Sequence, residues 1–287
     1  MLLFFRHNIG RLILLFLLVA NGAVWTTIDA LRPKPQVRVA FLDVGQGDSI
    51  LIDSPTHRRV LIDGGPDKKV LRELSKFIPF FDRSIDLVIE SHPDTDHIAG
   101  LPDVLNKYEV LGWLRSNILS NNAYSQALEK IAKTKGIKQL YAQKGGIINL
   151  GGGAKIEILY PFNSKPEIKT NEYSVVAKLT YGQNVFLFVG DLPTKQEKYL
   201  AYAETQKLSA DVYKVSHHGS GNSNDLTFLK MIAPKISVIS VGANNRYGHP
   251  APEVVASLQK EGSQVWRTDQ LGTIVLVGDG QEIHPVE

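Results

Sequence analysis

"SHPDTDHIAG", residues 91–100, sets two histidines and two aspartates within six consecutive positions: His92, Asp94, Asp96 and His97. The stretch follows an apolar run, "IDLVIE" (85–90), which reads as a buried strand. It leads into "HIAGLPDVLNKY" (97–108), which reads as a helix. Imidazole and carboxylate together suit Zn²⁺, and a high carboxylate share admits Mn²⁺. Alternate residues of an extended loop point the same way, so His92 and Asp94 can face one ion. Asp96 and His97 are adjacent, but a helix starting there would turn them toward a second centre. Helix capping is the plainer reading, with Asp94 or Asp96 as the cap; it explains one aspartate and neither histidine.

Working outward, the flanking sequence supplies short strands and helices. "VRVAFLD", "SILID" and "RVLID" predict an antiparallel meander over residues 37–63. "DKKVLRELSKFI" has helical spacing, and "NAYSQALEKIAKTKG" predicts a helix stopped at Gly136. The second half follows the same plan, with strands expected at "KIEILY", "SVVAKLTYG", "NVFLFVGD", "ADVYKV", "KISVISVG", "QVWRTD" and "GTIVLV". Helices are expected at "TKQEKYLAYAETQ", "NDLTFLKMIA" and "APEVVASLQKEG". Two β-rich halves, each with helices, predict two sheets packed face to face with helices outside. No low-complexity segment divides residues 37–287, which are expected to form one domain.

Composition narrows the chemistry. With 287 residues, 43% of them hydrophobic, the chain can bury a sizeable core. It contains no cysteine, which removes thiolate catalysis and Cys-type zinc sites and leaves His and carboxylates as ligands. A net charge of +3 is too small to argue by itself for nucleic acid. The strand-end polar residues beyond the opening cluster are Asp43, Asp63, Asp191, the pair His217 and His218, and His249 of "YGHP". His57 lies in a "PTHRR" turn and reads as surface. Asp63 is expected to orient a metal-binding histidine from behind. Asp43 and Asp48, with Gln46, are expected to brace the rim of the site, Asp48 equally as a simple turn residue.

These motifs resemble a known family. "SHPDTDHIAG" is similar to the metallo-β-lactamase-fold signature H-x-H-x-D-H, with Asp94 in place of the second histidine. "FLDVGQGDSILI", "VLIDGG", "FVGD", "VSHHGS" and "YGHP…TDQLGTI" resemble, in order, the hydrolase domain of the competence protein ComEC and its stand-alone relatives. The likeness covers about residues 37–280. It implies an α/β (α+β) fold, the αββα sandwich, and two divalent ions, Zn²⁺ or Mn²⁺. It further implies that His92 and Asp94 bind one ion, that Asp96 and His97 bind the other, and that Asp191 bridges both. His217 would complete the second site, with His218 as the alternative, since neighbours on a strand end point oppositely. No histidine lies between His97 and His217 to give the first ion a third imidazole; Asn171 could serve as a weak ligand there, or as a turn residue. His249, His218 and Asp96 are the candidates for direct catalytic contact, with His249 a substrate contact, a proton donor or a helix cap.

Two ions sharing a hydroxide suit attack on phosphorus or an acyl carbon, and three aspartate ligands favour phosphate esters. The expected activity is a phosphodiesterase, with a nuclease acting on DNA as the preferred case. Alternatives are a cell-surface phosphodiesterase of the choline or teichoic-acid type, and an inactive binding module whose sign would be loss of ligands. At the N-terminus, "LILLFLLVANGAVWTTI" (12–28) carries no charge and follows Arg6 and Arg11. Residues 1–31 are expected to be a membrane anchor with a cytoplasmic N-terminus, or a cleaved signal segment, and 32–36 a linker. Either places the hydrolase domain, 37–287, outside the cytoplasm. In full-length competence proteins such a domain accompanies a multi-span channel, so with one candidate span DNA uptake is not expected to be the whole task.

Overall fold

Alternation of side chains builds a four-layered body. The computed structural model describes residues 2–31, 35–118, 120–162, 170–204 and 207–286. Residues 32–34 of the expected linker and 205–206 of the expected "TKQEKYLAYAETQ" helix lie outside these. The chain divides into two units, Met1–Lys34 and Pro35–Glu287. The described residues of the first form one helix, α1 (Leu2–Leu31). Its stretch Ile9–Ile28 has a mean hydropathy of 1.8 and no buried residue, so it is long and apolar enough to cross a membrane or to serve as a signal segment.

In the second unit the first sheet opens with β1 (Val37–Phe41), β2 (Ile50–Asp53) and β3 (Arg59–Ile62), an antiparallel meander. It continues, in parallel, through β4 (Ser84–Glu90), β5 (Glu109–Arg115) and β6 (Lys138–Tyr141). The second sheet holds β7 (Ile147–Gly151), β8 (Ala154–Tyr160), β9 (Val176–Tyr181), β10 (Asn184–Phe188), β11 (Val212–Lys214), β12 (Ile236–Ile239) and β13 (Gln264–Arg267). Its order is β13-β12-β11-β10-β9-β8-β7, and β10 to β13 run parallel. The chain then returns to the first sheet, where β14 (Ile274–Gly278) pairs with β1 and β15 (Ile283–Val286) forms the edge.

Period-two burial explains the layering. Val39 and Phe41 face the inter-sheet core while Ala40 and Leu42 face the helices outside the first sheet. Phe186 and Phe188 likewise face inward, with Phe188 6.3 Å from Phe41 between ring centroids, whereas Leu187 and Val189 face the outer helices. Outside the first sheet lie α2 (Lys69–Leu74), α3 (Thr95–Ile98), α4 (Leu101–Lys107) and α5 (Ala123–Lys135). Outside the second lie α6 (Thr194–Ala203), α7 (Leu226–Ile232) and α8 (Pro252–Lys260), and α9 (Thr268–Leu271) is a single turn after β13. The architecture is the αββα sandwich that the two-halves pattern predicts.

One buried carboxylate on α6 braces the loop network of the second sheet. Glu197 is fully buried, and its two oxygens accept the Asn224 and Asp225 N–H groups, each at 2.8 Å. Asn224 in turn donates to the Ser216 and Ser220 carbonyls and accepts from Tyr213. Burial dominates the two backbone bonds and pushes the Glu197 pKa from 4.5 up to about 7. The folded state therefore keeps a proton that the unfolded chain releases, so stability is full below pH ~4.5 and declines as pH rises to ~7. The decline attributable to this group is about 3 kcal/mol. Denaturant unfolding followed from acid to neutral pH should show a shallower fall in Glu197→Gln than in the wild type; parallel curves would contradict the assignment.

Candidate metal centre

Two loops locked together position the candidate ligands from the first sheet. Asp63, just past β3, takes a left-handed φ of 58°, and the following Gly64 donates to the His97 carbonyl at 2.6 Å. Gly100 returns a bond to the Gly65 carbonyl at 3.0 Å, and a Cβ on Gly100 would stand 2.2 Å from the Gly64 oxygen. This close approach splits the expected 97–108 helix into α3 and α4. It also brings the Asp63 carboxylate under the 91–97 loop. One Asp63 oxygen accepts the Ser91 N–H at 2.7 Å; the other accepts the Ser91 hydroxyl at 2.6 Å and His97 Nδ1–H at 2.8 Å. With its proton committed, the Ser91 oxygen accepts from His92 Nδ1 at 3.0 Å. In the second sheet His218 Nδ1 donates to the Ser240 carbonyl at 2.9 Å.

Each of these three rings is thus fixed through Nδ1 and presents Nε2 as a lone-pair donor. His92 Nε2, His97 Nε2, His218 Nε2 and Asp191 Oδ1 are all buried with no hydrogen-bond partner among the described residues. Buried polar atoms are otherwise satisfied as a rule, so four orphans converging on one point fit a cation. Asp191 follows β10 and is the common neighbour: its oxygens lie 3.3 Å from His97 Nε2, 3.5 Å from His217 Nε2, 3.7 Å from His218 Nε2 and 3.9 Å from His92 Nε2. Asp96 Oδ2 lies 3.3 Å from His218 Nε2, and donor atoms of Asp96, His97, Asp191 and His218 all fall within 4.8 Å of one another. The site opens into a cavity of about 180 Å³ lined by Asp94, Asp96, Asp191, His217, His218 and His249, among others.

The field of this cluster favours positive charge. Burial opposes a charged His97, yet Asp191 and Asp63 hold its pKa well above the usual value. Burial is likewise overridden at His218, where Asp191 and Asp48 lift the pKa to about 9. Carboxylates that stabilise imidazolium inside a protein stabilise a divalent cation at the same place. Asp94 immediately precedes α3 but makes no side-chain cap bond; its Oδ2 sits 3.6 Å from His92 Nε2.

The pair His217–His218 departs from strand geometry. Both residues take left-handed angles, φ 49° and 53°, so the two rings do not point oppositely and both reach Asp191. His218 is buried and stands beside Asp96 and His97, the place expected for His217, whereas the His217 side chain is 30% exposed at the cavity mouth. His249 lines the same mouth, 5.7 Å from the His217 ring between centroids. Burial and the nearby His217 and His218 push its pKa down. Asn171 lies in a 3₁₀ turn where its side-chain oxygen accepts from Thr170, and it is not among the cavity-lining residues. Asp43 turns to Lys69 at 3.0 Å, and Gln46 accepts the Gly242 N–H at 3.1 Å, tying the loops of the two sheets together.

Sequence patterns do not single out Lys214. It ends β11 fully buried, with Nζ 2.6 Å from Asp48 Oδ2 and donating to the Val215 carbonyl at 3.0 Å. Asp48 is buried too, 3.4 Å from His218 Nδ1 and 4.0 Å from His97 Nδ1. Burial would raise its pKa, but Lys214 and the two histidines bring it down to about 2. Asp48, Asp63 and His97 could be taken for a further metal cluster, but the cation there is the lysine itself. A charged residue within the buried pattern "VYKV" is the available signal. Lys214→Met should cost about 3–5 kcal/mol by stranding the Asp48 charge. Denaturant unfolding should show Asp48→Asn recovering much of that loss in the double variant; a single-variant cost below about 1 kcal/mol would contradict a buried pair.

The chain is similar to known proteins in sequence and in fold. Residues 42–243 match the Metallo-beta-lactamase superfamily. ComE operon protein 3 of Bacillus subtilis is 30% identical over 279 residues, covering 90% of this chain and 36% of that protein. Competence protein ComA of Neisseria gonorrhoeae is 28% identical, covering 84% of this chain and 32% of that protein. The chain therefore spans about a third of the length of these curated relatives. Among solved structures, the metallo-beta-lactamase fold protein YhfI from Bacillus subtilis superposes with a TM-score of 0.55 at 14% identity, covering 82% of this chain and 96% of that one. By fold and by sequence over most of its length, the chain belongs to the metallo-beta-lactamase superfamily.

Proposed function

We propose that the chain is a membrane-anchored or exported phosphodiesterase that uses two divalent ions, with DNA as the preferred substrate. The observation that carries this reading is the convergence of three buried, unpartnered Nε2 atoms on the Asp191 carboxylate beside an open cavity. His92, Asp94 and Asp191 would hold one ion; Asp96, His97, His218 and Asp191 would hold the other. Zn²⁺ suits the imidazoles and Mn²⁺ the carboxylates. A bound ion pair supplies Lewis acidity and an activated water. Three aspartates in the donor set favour hard oxygen partners such as phosphate esters, and the similarity to a relative named Competence protein ComA supports a nucleic acid in preference to an envelope polymer.

The protein's own groups then have separable tasks. Asp63 and Ser91 hold the His97 and His92 rings in the tautomer that leaves Nε2 free. Ser240 does the same for His218. His217 and His249, at the mouth, meet the substrate rather than the ions; a neutral His249 still carries one ring N–H to offer a phosphoryl or leaving-group oxygen. The apolar stretch Ile9–Ile28 would hold the catalytic unit at the outer face of a membrane, or direct its export.

Metal analysis and hydrolysis of a simple aryl phosphodiester test these roles together. Asp191→Ala should abolish metal-dependent turnover, by ~10³-fold or more, and deplete bound metal. His218→Ala should lose about one ion per chain, while His217→Ala keeps both and loses turnover. Retention of full metal by His218→Ala with loss in His217→Ala would return the ligand role to His217.

A further inference from the structure

A second cavity, of about 420 Å³, adjoins the metal cavity and shares Gln46, Asp96 and Tyr247 with it. Its outer wall is the loop after β12, which carries Asn245, Arg246 and Tyr247. Asn245 makes this loop a built structure. Its amide nitrogen donates to the Gly242 carbonyl at 3.1 Å and the His249 carbonyl at 2.6 Å, and its oxygen accepts the Tyr247 and His249 N–H groups at 3.2 and 3.0 Å. Gln46 fastens the start of the same loop through the Gly242 N–H. Tyr247 stacks against His249, 5.7 Å between centroids at 25°, and still leaves 53% of its surface exposed. The Arg246 guanidinium lies 5.0 Å from the Tyr247 ring centroid and donates to its hydroxyl at 2.9 Å. Among the described residues no carboxylate pairs with Arg246.

We infer that Tyr247 and Arg246 form a single-strand nucleotide subsite, in which the Tyr247 ring stacks an unpaired base next to the scissile phosphate and Arg246 binds a neighbouring phosphate. The inference rests on the phosphodiesterase reading and specifies its substrate. A half-exposed aromatic ring joined to an uncompensated cation is what a single strand engages: every base has a π-face, and every link a negative charge. A base within a duplex cannot lie against Tyr247 without unstacking, so single strands are preferred. A choline group is disfavoured, because its trimethylammonium would meet the Arg246 charge at the ring it would need for cation–π contact.

The test is the binding of a fluorescently labelled phosphorothioate oligothymidylate to the full-length, metal-loaded protein, read by anisotropy. Tyr247→Ala should weaken binding about tenfold and Tyr247→Phe hardly at all. On an oligomer of abasic sites the Tyr247→Ala effect should vanish. Arg246→Ala should weaken both oligomers and reduce the salt slope of log K by about 0.7. The inference is overturned if Tyr247→Ala weakens abasic and base-bearing oligomers alike or neither, if the wild type binds no oligomer, or if a choline-decorated envelope polymer displaces the oligomer and loses affinity in Tyr247→Ala. Hydrolysis of an aryl phosphodiester by the same preparations separates the two readings. Asp191-dependent turnover with oligomer binding indifferent to both substitutions sinks only the subsite; base-dependent binding without any turnover sinks only the hydrolase.

Discussion

Everything in the second unit is organised around one carboxylate that ought not to be where it is. Asp191 is buried beneath four imidazoles, each within 4 Å of one of its oxygens. Removing such a group from water is costly unless opposite charge and hydrogen-bond donors surround it. The sandwich provides that surrounding. His92 and His97 arrive from the end of β4 in the first sheet, His218 from the turn after β11 in the second, and Asp191 from the end of β10. The parallel runs β3–β5 and β10–β13 bring the carboxyl ends of these strands to one rim. Clustering function there follows the general rule for open α/β sheets.

Around this centre the charges are layered. The inner carboxylates Asp96 and Asp191 face the imidazoles, while Asp63 and Asp48 stand behind them. Asp63 acts through a hydrogen bond that fixes a tautomer, and Asp48 is answered by the Lys214 ammonium. The outer pair thus sets ring orientation and local charge without entering the cavity. Asp48, Asp63 and Lys214, which only support the site, are as deeply buried as Asp191 and His218, which line it, whereas Asp96 and His217 are partly exposed at the cavity.

The centre of the site is legible in the sequence because the chemistry there is contiguous: His92 to His97 declare themselves within one loop. The sandwich is legible from alternation in β1, β2, β3, β8, β9 and β10. Four further strands, β5, β6, β7 and β15, are not. β6 is exposed along nearly all of "KQLY", β7 and β15 lie at sheet edges, and "EVLGWLR" of β5 carries a glycine at its centre and stands between two helices. The positions of His217 and His218 depend on two consecutive left-handed residues, which strand periodicity cannot foresee. Lys214 finds its partner on the opposite sheet, so its pairing is tertiary and invisible to spacing. Asn171 stands before β9, where a weak ligand is expected, but the turn that holds it directs the side chain to Thr170.

The donors around Asp191 are held to converge on two cations. Anomalous diffraction at the metal edge, from crystals of the metal-loaded protein, addresses this without reference to any substrate. Two peaks ~3.5–4 Å apart should flank the Asp191 carboxylate, one beside His92 and Asp94 and one beside Asp96, His97 and His218. Density confined to surface residues, or a single peak between Asp48 and Asp63 in place of Lys214, would contradict it.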